Sequence, residues 1–263
     1  FSLPLLLILL ALILRGVSFE YRHQRDDIRW KRRFDWMITI GSAVPALLWG
    51  VAVGNIVQGV PIDADKNFTG NLFTLLNPYG LWVGVTTLLL FFLHGVYFVG
   101  LKTDGQVHHD AQALGKKLAA PTVVFAAGTV VWTIIIAAGR EAPLLWAVIA
   151  CGIIAAVALL ASVAFNWIDR DGRAFAAGAV TIVFAVLTLW LALFPYVMPA
   201  SNDPANSLTI ANASSTQMTL EIMSWAALIF LPLVLAYQGW TYWVFRKRVT
   251  RGAIEKAELA EAH

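Results

Sequence analysis

Seven runs of apolar residues, most of them about 20 long, constrain this chain more than any other feature. They lie near 1–15, 36–58, 79–101, 119–139, 143–165, 174–194 and 221–245. None alternates apolar with polar residues, so none reads as a strand of a membrane barrel. In hydrocarbon, backbone N–H and C=O groups must pair within the protein, which leaves helices for continuous runs of this kind. The fold class that follows is all-α and integral to a membrane: a polytopic bundle, one transmembrane domain over 1–263. The first run is the exception in length. It is too short for the hydrocarbon layer, which takes about 20 helical residues. Its positive charge, Arg15, follows it, whereas a signal peptide carries charge in front. It reads as a span whose beginning lies before Phe1.

The basic residues give the orientation. Of 19 Lys and Arg, all but Lys66 and Arg140 fall on one side once the seven runs alternate across the bilayer. Six of them crowd into EYRHQRDDIRWKRRFDW, and the same side holds Lys102, Lys116, Lys117, Arg170 and Arg173. The positive-inside rule puts that side in the cytoplasm, together with a tail from 246 to 263. The topology read from this is multi-pass with the C-terminus inside. A missed span would scramble the alternation.

Composition agrees with this and excludes much else. Apolar residues make up 59% and charged residues 13%, against about 45–50% and about 25% in soluble domains. The single cysteine, Cys151, permits no internal disulfide, and without a CxxCH motif there is no covalent c-type haem. No phosphate loop, dinucleotide fingerprint, HExxH or nucleophile elbow occurs, and nothing points to nucleic acid.

Chemistry within a bilayer needs polar groups inside the bundle, where they are costly. The inventory is short. The second run carries Asn55 and Gln58 near its outer end and Asp35 at its inner edge. The third carries His94. Arg15 and Glu20 stand at the inner end of the first, and Gln238 and Glu221 near the two ends of the last. His94 reads first as an interhelical hydrogen bond, with proton transfer and metal or haem ligation as the alternatives. His23, His108, His109 and His263 all fall in predicted cytoplasmic segments, so none can face it at mid-membrane. Glu20 and Asp35 read either as solvated partners of the basic segment, Glu20 with Arg15 or Arg22, or as carboxylates at the mouth of a proton path. Arg15 reads as a snorkelling anchor. Gly50-x-x-x-Gly54 and Gly80-x-x-x-Gly84 predict close helix packing, and Pro45 and Pro232 fall inside runs. With no self-sufficient cofactor site, the residues favour a scaffold subunit over a catalytic one.

Several segments resemble subunit II of cytochrome bd-type quinol oxidases. They are RGVSFEYR from Arg15, RFDW and IGSAVPALLWGVAVGNIVQGVP between Trp30 and Pro61, GNLFTLLNPYGLWVG from Gly70, LFPYVMPAS from Leu193 and LTIANASSTQMTL from Leu208. The matches keep the family's order along nearly the whole chain. The resemblance implies nine helices in two four-helix bundles plus a peripheral one, two of them preceding the seven seen here. It implies a heterodimer with a haem-bearing subunit I, which holds two haems b, haem d and the quinol site. This chain then ligates no haem and holds no metal. It stabilises its partner and helps line proton and oxygen access for the reduction of oxygen to water. Glu20 stands where the family carries an acid of a hydrophilic channel. The resemblance leaves room for a structural quinone, lipid and small accessory subunits, none marked by a motif here.

Two other readings stand beside this one. A secondary transporter is expected to show internal repeats and a polar midplane site; the chain shows no clear repeat, and its midplane polarity is nearly confined to His94. A stand-alone cytochrome b would need a second axial ligand facing His94.

Overall fold

The computed structural model describes residues 2–71 and 73–246. The predicted cytoplasmic tail, apart from Arg246, lies outside the described residues, as does His263. The helices are α1 (Ser2–Arg22), α2 (Ile28–Gln58), α3 (Pro78–Lys102), α4 (Gln106–Gly139), α5 (Leu145–Trp167) and α6 (Asp171–Leu193), then the short α7 (Ile210–Ala213) and the long α8 (Gln217–Val244). All except α7 are long and apolar enough to cross a membrane. The chain is an all-α polytopic membrane protein.

The helices overrun the apolar stretches, mostly on the basic side. Hydropathy marks the hydrocarbon and not the helix, and a helix continues into water while its backbone bonds and caps hold. Thus the basic segment after the first run is largely the end of α1 and the start of α2. The Asp27 side chain caps α2, accepting from Arg29 N at 2.9 Å. Gln106 to Leu118, which hydropathy leaves as a connection, is helical and carries Gln112 inward.

Consecutive helices from α1 to α6 pack side by side, and α3 also meets α6, closing α3–α6 into a four-helix bundle. Glycines set the α2–α3 approach. A Cβ on Gly50 would lie 2.7 Å from Gly84 Cα, and one on Gly54 would lie 3.0 Å from Gly80 Cα. The two GxxxG motifs therefore face each other, and only the bare backbones allow the contact. Polar pairs tie α3 to α4: Tyr79 to Thr133 at 2.8 Å, Thr86 to Thr129 at 2.7 Å, and the Trp82 indole N–H to the Phe125 carbonyl at 3.0 Å. Inside the bundle is an apolar cavity of about 190 Å³ bordered by Thr86, Thr133, Thr181 and Thr188. Their hydroxyls are taken up by carbonyls one turn back or by each other. Pro45 and Pro232 lie inside α2 and α8. No residue of α8 is buried, and of the best spanning window of α1 only 11% is.

On the other side the long connections fold over the helix ends. A two-stranded sheet, β1 (Tyr196–Met198) with β2 (Leu208–Thr209), is antiparallel. The loop after α2 is stitched to the loop after α6 by Val60 N to Pro199 O at 3.1 Å and Ser201 N to Val60 O at 3.0 Å. Asn202 adds bonds to both backbone groups of Ile62, and Lys66 reaches the Ala205 carbonyl.

Candidate functional site

Polar side chains gather at three places: the inner ends of α1 and α2, the outer ends of α2 and α3, and the inner half of the α3–α6 bundle.

The first holds the carboxylates singled out from the sequence. The Trp30 indole N–H donates to the Tyr21 carbonyl at 2.9 Å, with the Arg25 guanidinium 4.7 Å above its ring. This fixes the turn between α1 and α2. Asp35 accepts from Arg22 Nε at 2.6 Å in an exposed pair. Glu20 is exposed two residues from the end of α1 and makes no ion pair or hydrogen bond among the described residues. Its suggested partners are turned elsewhere, Arg22 to Asp35 and Arg15 over the Phe19 ring at 5.7 Å. Glu20 is therefore a carboxylate open to water at the inner end of α1, next in sequence to the basic segment. At the same face Lys31, 2.9 Å from Asp26, lowers that carboxyl below the usual range by its hydrogen bond and its charge.

At the outer ends Asn55 is 1% exposed. Its side-chain amide donates to the Val51 and Leu75 carbonyls at 2.7 and 2.6 Å, and its carbonyl accepts from Asn77. Asn77 in turn caps α3 through Gly80 N at 2.6 Å. Arg140, at the end of α4, donates to the Val57 carbonyl at 2.5 Å and to the Gln58 carbonyl, so one guanidinium closes the C-terminus of α2. Gly59 ends that helix at φ 92°, where a Cβ would sit 3.0 Å from the Pro199 carbonyl. An open polar cleft of about 420 Å³ lies among Asn55, Gln58, Thr74, Asn77, Arg140 and Ser201. Arg140 entered the sequence reading only as a charge to be counted. The signal that marks it is its rarity, since a basic residue at an outer helix end must find carbonyls or acids nearby.

His94 overturns its first reading. It makes no hydrogen bond among the described residues, and its Nδ1 is buried without a protein partner. Its ring stacks on Phe175 of α6, centroids 4.4 Å apart and planes 22° apart. Gly178 makes the space, since a Cβ there would stand 2.9 Å from Nδ1. The interhelical contact is aromatic, and hydropathy and spacing could not reveal the partner. Below His94 the bundle carries a polar row, Tyr97, Ser162, Asn166, Gln112, Asp171 and His108, which the sequence reading passed over. The signal was Ser162 and Asn166, four apart in an otherwise apolar run and so on one helix face.

Among the described residues no three His, Cys, Asp or Glu side chains come together to hold a metal. A model of the family described as cytochrome bd terminal oxidase subunit II matches residues 1–245. Cytochrome bd-I ubiquinol oxidase subunit 2 of Escherichia coli strain K12 is 34% identical over 291 residues, 97% of this chain and 76% of that protein. Cytochrome bd ubiquinol oxidase subunit 2 of Bacillus subtilis strain 168 is 36% identical over 256 residues, 95% of this chain and 74% of that protein.

Proposed function

This chain belongs to the cytochrome bd terminal oxidase subunit II family, and from that premise we propose that it pairs with a haem-bearing subunit I in a heterodimer that oxidises quinol and reduces oxygen to water. Membership makes it a subunit of a terminal oxidase, an oxidoreductase. Within the complex its own work is to stabilise the partner and to line access for protons and oxygen. Two haems b and haem d belong to the partner. The placement of the histidines supports this, with His94 in the α3–α6 bundle against Phe175 and His108 and His109 on the inner extension of α4, so that His108 meets the Gly100 carbonyl and not His94. The family match over nearly the whole chain carries the proposal.

The proton inlet is assigned to Glu20, with Asp35 beside it on the same face. An exposed carboxylate at the cytoplasmic end of α1 takes up a proton from water, becoming neutral, and regains its charge when it hands that proton inward. Orientation follows from the charge count, the C-terminus lying in the cytoplasm. The faces of α1 and α8 left uncovered here are those that subunit I, lipid or accessory subunits would cover.

The test is the absorption spectrum of the purified chain alone and of the complex. Bands of haems b and d that appear only with the partner present support the reading. Haem retained by the chain alone would contradict it, and His94→Gln would then show whether that residue holds it.

A further inference from the structure

We propose that the polar cleft at the outer ends of α2, α3 and α4 is the headgroup site of one outer-leaflet phospholipid, with its phosphate on Arg140 and an acyl chain along the groove between α1 and α2. The site goes beyond the oxidase reading and does not depend on it. It draws only on the orientation read from the charges.

The cleft is built around a cation without a counter-ion. Arg140 is half-buried at the end of α4 and makes no ion pair among the described residues, not even with Glu141 beside it in the chain. Its bonds to the Val57 and Gln58 carbonyls spend one N–H on each terminal nitrogen. A guanidinium has five N–H donors in all, so the other three stay free for a ligand. The two carbonyls are the negative end of α2, which amounts to about half an elementary charge. Part of the guanidinium charge is therefore left unanswered.

The rest of the wall is also made of donors. Gln58 lines the cleft with its side-chain carbonyl Oε1 buried, so what it can offer is its amide NH2, which makes no hydrogen bond. Asn77 spends one amide N–H on Asn55 and keeps the second. Ser201 is exposed and bonds through its backbone N–H to Val60, which leaves its hydroxyl free. No Asp or Glu lines the cleft. Four donor groups with one net positive charge and no acid among them fit an oxyanion, whose charge-assisted hydrogen bonds are about twice as strong as neutral ones. The volume of about 420 Å³ is that of a small-molecule site, for which about 300–1,000 Å³ is usual.

What adjoins the cleft selects a phospholipid over a free anion. Asn55 stands in the wall of the cleft and also in that of an apolar groove lined by Pro4, Leu7, Leu48, Val51 and Leu76. Leu76 is 40% exposed, and Phe73 in the same connection is 79% exposed. The connection between α2 and α3 thus presents apolar side chains to its surroundings beside a pocket of donors. An amphiphile satisfies both, with its phosphate on the donors and its chain over the apolar wall. A free phosphate gains nothing from the groove.

The test reads retained lipid by native mass spectrometry of the purified complex. Ser201→Asp sets a carboxylate in the cleft from an exposed position, and Ser201→Asn is its neutral counterpart. The wild-type complex and Ser201→Asn should each retain one phospholipid more than Ser201→Asp. Equal counts in wild type and Ser201→Asp would overturn the proposal, as would a loss in Ser201→Asn equal to that in Ser201→Asp. A quinone in place of the extra phospholipid would overturn it too. Arg140→Gln should need about tenfold more phosphatidylglycerol to reload after delipidation, the order expected for a lost hydrogen bond to a charged group. Wild-type reloading would contradict the role of Arg140, and should this variant not fold, the Ser201 pair decides. Delipidated wild type separates the two sources of phosphate. Phosphatidylglycerol should raise its thermal midpoint and inorganic phosphate at the same concentration should not. An equal rise with inorganic phosphate would overturn the phospholipid assignment.

Discussion

Asn77 donates its side-chain amide to the side-chain carbonyl of Asn55 at 2.7 Å, joining the outer end of α2 to the cap of α3. Asn55 spends its own amide on two backbone carbonyls. Asn55→Ala would leave the buried Leu75 carbonyl and the half-buried Asn77 amide without their partner. The expected cost is about 1–3 kcal/mol, the usual desolvation penalty of an orphaned buried group. Thermal unfolding of the purified protein in detergent measures it, and an unchanged midpoint would remove this contact from the account.

The facing glycines of α2 and α3 give a second expectation with its own control. Gly84→Ala would push a methyl to 2.6 Å from Val51 Cγ2 and 2.9 Å from the Leu47 carbonyl. Separation of the helices should destabilise by about 1–3 kcal/mol, as overpacking generally does. Gly95→Ala on the same helix α3 meets nothing within 4 Å and should be tolerated. Equal effects at the two positions would contradict the close approach.

These two cases mark what the sequence made legible. The GxxxG spacings declared close packing of α2 and α3 without saying against what, and hydropathy declared the seven spanning helices. Spacing could not declare what sits opposite a side chain. His94 looked like half of an interhelical hydrogen bond because the ring is polar, yet Phe175, some eighty positions later, gives it a stacking partner and Gly178 the room for it. Arg140 looked like an outlying charge because the carbonyls of Val57 and Gln58 belong to another helix end. Asp171, Gln112 and His108 looked like residues of loops because a hydropathy window ends where charge begins, although the helices do not.

Orientation is open to direct labelling. In a background with Cys151→Ala, cysteines at Gln24 and Gln106 should react with a membrane-impermeant thiol reagent from the cytoplasmic side alone. Cysteines at Asp65 and Asn206 should react from outside. Labelling of position 206 from the cytoplasm would overturn the topology.

Glu20 is the most exposed point of the proton account. Glu20→Gln should slow quinol-driven oxygen uptake while assembly and haem spectrum stay intact. Glu20→Asp should keep most of the activity, because it retains a carboxylate at that place. Asp35→Asn, which breaks an exposed pair with Arg22, should leave folding nearly unchanged. Turnover of Glu20→Gln equal to wild type, in spectrally matched complexes, would take Glu20 off the path.

The most direct test of the central claim is oxygen consumption by the purified complex that contains this chain, with a quinol as reductant. The expected result is oxygen uptake that depends on quinol and is lost when this chain is left out. The same preparation in vesicles should move no solute on its own. A colourless protein that consumes no oxygen with its partner present, and that accumulates a solute in vesicles, would contradict the claim and make the chain a transporter.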